Sequence, residues 1–143
     1  MPEELHLYYY ATNPSYTDYE IKLPNTNNPD LPSSKYNMDT ITIYNDKFEK
    51  VGTLARVIQY PYIEGITPGL YYQNFILGDD LDTITVVFNY VVQDDENEFF
   101  IGGIPIPFTY LYGSGKYFNK KITGYLLPYD NKVRSREYVF FIE

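Results

Sequence analysis

The residue types that carry chemistry are few in this chain and stand far apart. His6 is its one histidine and cysteine is absent, so thiolate nucleophiles and thiolate metal sites are excluded. A Ser-His-Asp arrangement calls for a serine on a strand-to-helix elbow, Gly-x-Ser-x-Gly. Ser114 stands in Gly113-Ser114-Gly115 with no helical pattern after it, and His6 reads as an ordinary strand residue. The run Gly113-Ser114-Gly115-Lys116 also invites a phosphate-loop reading. That loop needs a glycine, four residues, then Gly-Lys-Ser/Thr opening a helix. Tyr117 occupies the hydroxyl position and Lys121–Leu127 reads as a strand, so no nucleotide site is assigned. No catalytic residue is assigned either.

Acidic turns are the next candidates. Asp79, Asp80 and Asp82, and then Asp94, Asp95 and Glu96, carry enough oxygens for a hard cation. The spacing of a calcium loop fails, because the ligand position two beyond Asp82 is Ile84. These clusters read as turn formers, and neither metal nor cofactor is expected. The formal net charge of −8 repels phosphate backbones. A local basic patch is the only way round that, and the candidates are Lys116, Lys120, Lys121, Lys132, Arg134 and Arg136. They read as solvated loop faces, and nucleic acid is not expected as a partner.

The elements that must position these groups are strands. Of 143 residues, 44% are hydrophobic and 18 are tyrosines, with no tryptophan. Tyrosine and β-branched residues favour pleated, half-buried surfaces with a polar rim for the hydroxyl. Strands are expected at Leu5–Tyr10, Asp39–Tyr44, Val51–Tyr60, Gly69–Leu77, Thr83–Val92, Glu98–Ile101, Ile106–Leu111, Lys121–Leu127 and Glu137–Ile142. Asp39–Tyr44 alternates, with Thr40 and Thr42 on one face and Ile41 and Ile43 on the other. In Val51–Tyr60, Arg56 shares a face with Leu54 and Ile58. Thr83–Val92 is apolar on both faces, as a strand buried on both sides would be. Residues 13–38 carry Pro14, Pro24, Pro29 and Pro32 and the run Asn25-Thr26-Asn27-Asn28. Prolines remove backbone donors and asparagines favour turns, so this is expected to be a long loop, with Tyr19–Leu23 as a short edge strand. Roughly eight strands at hairpin spacing, with no amphipathic helix, predict one all-β domain over 1–143: an eight-stranded antiparallel β-barrel.

Tyr112-Gly113-Ser114-Gly115-Lys116-Tyr117, then Gly124, then Tyr138–Ile142 resemble the late signature of the allene oxide cyclase and dirigent-protein barrels. Upstream, Asp39–Asp46 followed by Lys50–Ile58, and Tyr71–Leu77 followed by Gly78-Asp79, are similar to that family's strand order. The resemblance spans about Asp39 to Ile142. It implies an eight-stranded barrel with a hydrophobic cavity and oligomers built on barrel faces. The family's cyclases place a glutamate on the first strand, where this chain has Tyr10. A phenol is neutral at neutral pH and does not replace an anionic carboxylate, so the leading expectation is a barrel that is not a cyclase. Tyr10, Thr42, Phe88 and Tyr90 are the expected cavity wall.

The expectation is a non-enzymatic binding or structural assembly module, self-associating as a dimer or trimer or binding another protein. A component of a virion or other particle is one version of it. The alternative is an isomerase, cyclase or carrier for a small hydrophobic ligand in the barrel. Met1-Pro2-Glu3-Glu4 is acidic with no apolar run behind it, so no signal peptide is expected. No run approaches a membrane span. The expected location is the cytoplasm or a particle assembled there.

Overall fold

The computed structural model describes residues 2–10, 17–23, 30, 34–61, 66–93, 105–130 and 135–143. Period-two patterning dictates what they form. Strands run over Glu3–Tyr9 (β1), Thr17–Leu23 (β2), Ser34–Tyr44 (β3), Lys50–Tyr60 (β4), Ile66–Leu77 (β5), Asp82–Gln93 (β6), Ile106–Pro107 (β7), Thr109–Ser114 (β8), Ile122–Asp130 (β9) and Ser135–Ile142 (β10). Among the described residues a single 3-10 turn, Gly115–Tyr117, interrupts them. No helix among the described residues is long and apolar enough to cross a membrane.

All pairings among the described residues are antiparallel, and the strands follow one path, β7-β9-β10-β1-β3-β4-β5-β6-β8, with β2 added on β3. β7 pairs with β9 and β8 pairs with β6, yet only Phe108 separates them. The Phe108 N–H donates to the Gly124 carbonyl at 3.3 Å. One segment therefore spans both ends of the path and nearly closes it into a barrel. Among the described residues the barrel path holds nine strands, one more than the eight expected because the closing segment splits at Phe108 into β7 and β8, and β2 lies outside the ring.

Two expectations change. The long loop expected at 13–38 contains β2 and the first residues of β3, which pair from Thr17↔Thr40 to Leu23↔Ser34. β3 starts early because Lys35–Met38 finds partners on both sides, β2 and the Val57–Tyr60 end of β4. The strand expected at Lys121–Leu127 continues through Pro128, which faces Arg136 beside a register shift in β10. Proline is tolerated at such irregularities because no ladder donor is lost there. The strand expected at Glu98–Ile101 lies outside the described residues.

The inner face is filled in layers. Ile41, Leu54, Phe75 and Ile84 stand in register across four strands, all buried. Phe75 meets Tyr138 edge-on at 4.7 Å and Phe140 at 5.2 Å, and Phe108 lies 5.1 Å from Phe140. Edge-to-face rings at these separations are favourable beyond the area they bury. At Gly124 a Cβ would meet the Val139 carbonyl oxygen at 2.0 Å and the Phe108 ring at 2.6 Å. Its missing side chain is what lets the closing segment seat.

Candidate functional site

Two places gather polar groups against apolar ones: a layer inside the barrel and the barrel's open end. The inner layer follows from alternation. Asp39 shares the inward face of β3 with Ile41 and Ile43, and register sets Asp39 opposite Arg56 and Arg56 opposite Gln73. Arg56 Nε donates to Asp39 Oδ1 at 2.6 Å, and Nη2 donates to Oδ2, a two-point ion pair. Arg56 Nη1 donates to the Tyr9 hydroxyl at 3.0 Å, and the guanidinium stacks 5.1 Å from the Tyr9 ring. Side-chain exposure is 3% for Asp39 and 11% for Arg56, so water does little of the solvation. Burial works against the arginine's charge, while Tyr9 and the Asp39 carboxylate more than offset it and hold its pKa above the usual range. Beside them the Tyr138 hydroxyl donates to Gln73 Oε1 at 2.5 Å, and the Gln73 amide donates to the Tyr72 carbonyl at 3.3 Å. Burial raises the Tyr138 pKa well above its usual value. The layer is dense with polar groups, but they are spent on one another.

The open end is built by three turns. Between β3 and β4, Asn45 Oδ1 accepts from the N–H groups of Lys47 at 2.9 Å and Glu49 at 3.0 Å, the local bonding that makes asparagine a turn former. Between β5 and β6, the Gly78 N–H donates to the Val51 carbonyl at 2.9 Å, tying that turn to β4. The third turn is the glycine-rich segment. Gly115 takes φ 64°, and a Cβ there would lie 1.9 Å from Asp82 Oδ1. That close approach lets the Lys116 N–H donate to Asp82 at 3.1 Å. Thr83 and Ser114 share a further hydrogen bond of 2.5 Å.

Between these turns lies a cleft of about 550 Å³. Leu5, Leu7, Val51, Leu77 and Tyr117 supply its apolar wall, and Lys50, Lys116, Asp79 and Asp82 its charged rim. The turn tips expose large apolar side chains: Phe48 is 72% exposed, Leu81 65% and Phe118 63%. Phe48 and Leu81 also sit at φ 61° and 56°. Side chains other than glycine, asparagine and aspartate rarely take that conformation, which costs roughly 1–2 kcal/mol.

A third cluster lies on the outer wall. His6 Nδ1 is 2.7 Å from Glu137 Oε2, which also accepts from the Tyr8 hydroxyl at 2.7 Å, and His6 Nε2 is 3.1 Å from Glu4. The bond to Glu137, then that to Glu4, raises the His6 pKa. Both ring nitrogens are occupied, which suits a structural clasp between β1 and β10. Among the described residues no three His, Asp or Glu side chains converge on a metal position.

Of the four residues expected to line a cavity, Phe88, Thr42 and Tyr10 stand apart from one another. Phe88 is buried and stacks on Tyr71 at 4.8 Å. Thr42 sits on the outer face between the inward Ile41 and Ile43. Tyr10 packs outside against Tyr44 at 5.9 Å and Phe48 at 5.9 Å. Tyr90 lies on β6 opposite Gly69, and its side chain falls outside the described residues. An interior carboxylate does exist, supplied by Asp39 on β3 rather than by the first strand. Arg136, counted among basic surface candidates, is buried at 6% exposure. The alternation of Asp39 with two isoleucines, and of Arg56 between Leu54 and Ile58, was the signal for the inner layer. The open end had none, because it is assembled from turns distant in sequence. Set against known proteins, the chain is matched by no family model, no curated protein and no solved structure.

Proposed function

We propose that this barrel is a non-enzymatic binding and assembly module that works through its open end. The observation that carries this is the cleft of about 550 Å³, apolar within and ringed by three turns whose tips hold Phe48, Leu81 and Phe118 in solvent. Apolar groups held in water at raised free energy are stabilised by a partner that covers them. The inner polar layer supports the non-enzymatic side, because Arg56, Asp39, Tyr138 and Gln73 already satisfy one another. A component of a larger particle is one setting for such a module.

The volume favours a second reading, a carrier for a small hydrophobic ligand, since pockets for such ligands run to several hundred cubic ångströms. Nile red, a neutral apolar dye, tests the binding surface directly. Saturable fluorescence enhancement is expected for the wild type and is expected to fall sharply in Val51→Glu, which sets a charge in the cleft wall. A folded wild-type protein that gives no saturable enhancement would defeat both readings. Solvent extraction of natively purified protein followed by mass spectrometry separates them: a stoichiometric small molecule favours the carrier.

A further inference from the structure

Resting on the end-on binding proposed above, we infer that the partner of the open end is a second copy of this chain, docked about a two-fold axis. The argument begins with charge. The β5–β6 turn is acidic, with Asp79 and Asp80 exposed, and the 3-10 segment with the turn after it is basic, with Lys116, then Lys120 and Lys121, exposed. The two turns flank one cleft, since Asp79 and Lys116 both line it. Asp79, Asp80, Lys120 and Lys121 form no ion pair with one another or with any other described residue, so each turn presents its charge outward.

A partner of a single sign meets attraction at one turn and repulsion at the other. An anionic lipid surface or a nucleic acid is disfavoured on that ground, and further by the net charge of −8. The partner that fits both turns carries the same two poles, rotated by half a turn. A second copy supplies them: in a two-fold contact the acidic turn of each copy meets the basic turn of the other.

The apolar tips give the contact its affinity. Phe48, Leu81 and Phe118 are three of the five exposed large hydrophobic residues among the described ones, and all three stand at this end. Across the axis Leu81 and Phe118, chain neighbours of the cleft residues Asp82 and Tyr117, border the two clefts, Phe48 adds apolar surface beside them where it stacks on Tyr10, and the paired charges form the rim. That is the anatomy of a stable interface, apolar in the middle and polar at the edge. The bulky residues at positive φ fit the same picture, because strained backbone is retained where a contact uses the side chain it presents. At long range the net charge opposes association, so the dimer is expected to tighten as salt screens it, until screening reaches the rim pairs.

A charge swap tests this. Sedimentation velocity of the wild-type chain is expected to show a concentration-dependent dimer. Asp79→Lys with Asp80→Lys sets two basic turns against each other, and Lys120→Asp with Lys121→Asp sets two acidic ones. Each double variant alone is expected to associate at least about tenfold more weakly, since like charges facing across an interface are costly. Mixed together, the two variants carry opposite ends and are expected to recover a heterodimer of wild-type size. A wild type that stays monomeric up to its solubility limit while still binding Nile red would overturn the second copy as partner and leave the open end as a binding surface. Loss of dye binding as well would remove both. Double variants that dimerise as tightly as the wild type would also overturn the inference, whether or not they mix. Wild-type sedimentation needs no variant to fold, so the test stands even if a substituted chain does not.

Discussion

The inner polar layer and the open end solve opposite problems with similar residues. Inside, Arg56, Asp39, Tyr9, Gln73 and Tyr138 are withdrawn from water and fully engaged with one another. At the end, Lys120, Lys121, Asp79 and Asp80 are solvated, and Phe48, Leu81 and Phe118 stand in water. The first region obeys the rule that buried charge must be paired. The second breaks the expectation that large apolar residues leave the surface and that bulky residues avoid positive φ. A region whose central charges are paired within the chain, even with Asn37 Oδ1 buried beside them without a hydrogen bond, needs little more to explain it. One that violates two local preferences at one place points outside the chain.

The sharpest way to break this contrast is to remove Asp39. Asp39→Ala leaves the Arg56 charge buried without its carboxylate, and is expected to cost about 3–5 kcal/mol in urea unfolding. The double substitution Asp39→Leu with Arg56→Met removes charge and counter-charge together. It is expected to recover most of that loss, because well-packed apolar replacements of a buried pair are often neutral or stabilising. If Asp39→Ala costs almost nothing, the pair is solvated and the inner layer is more open than its 3% and 11% side-chain exposures state.

A smaller loss is expected where the two regions meet. Gly115→Ala combines a positive φ with a Cβ on top of Asp82 Oδ1, and is expected to cost about 1–3 kcal/mol. It also displaces the hydrogen bond from the Lys116 N–H to Asp82 and so moves one wall of the cleft. Unfolding should register the cost and Nile red the lost site. Wild-type dye binding in Gly115→Ala would show that the third turn does not shape the cleft.

What the sequence makes legible follows from the range of the interactions. Strand existence is local, so alternation in Asp39–Tyr44 and Val51–Tyr60 predicts β3 and β4, and the all-β barrel follows from their number and spacing. Interior polarity was within reach, because Arg56 between Leu54 and Ile58 can only point the way they do. Strand ends were less so. β3 gains five residues at its start from pairing with β2, which no property of Ser34–Met38 announces. The cleft was beyond reach, since Leu5, Val51, Leu77 and Tyr117 come from four elements whose meeting depends on closure at Phe108. Tyr10, Thr42, Phe88 and Tyr90, the cavity wall implied by the resemblance to cyclase and dirigent barrels, do not share one face, because alternation alone sends Thr42 outward and Phe88 inward.

A smaller effect, of opposite sign, is expected at the open end. Leu81→Asn replaces a residue at φ 56° with one that tolerates that conformation. The side chain is 65% exposed, so little burial is lost, and stability is expected to rise by up to about 1 kcal/mol. Association is expected to weaken at the same time. A variant that is more stable and less sticky is the signature of a residue kept for contact. Lower stability in Leu81→Asn would mean that the turn is held by packing inside the chain.

The outer wall supplies the smallest effect and the cleanest separation of scaffold from binding surface. His6 bridges Glu137 and Glu4, and these bonds raise its folded pKa above the value near 6.5 that it has when unfolded. The protonated ring is thus favoured by folding. Its contribution to stability is full below about pH 6.5 and fades as pH rises through the higher folded value. Unfolding free energy is therefore expected to decline over that window in the wild type and to be flatter in His6→Gln. The clasp is partly exposed and screened by water, which keeps the slope shallow. Nile red binding at the open end involves none of Glu4, His6, Tyr8 or Glu137, so it is expected to follow the same pH course in both proteins. Dye binding that changes with the His6 substitution would mean that β1 transmits the state of the wall to the cleft through Leu5 and Leu7. The two regions would then be coupled.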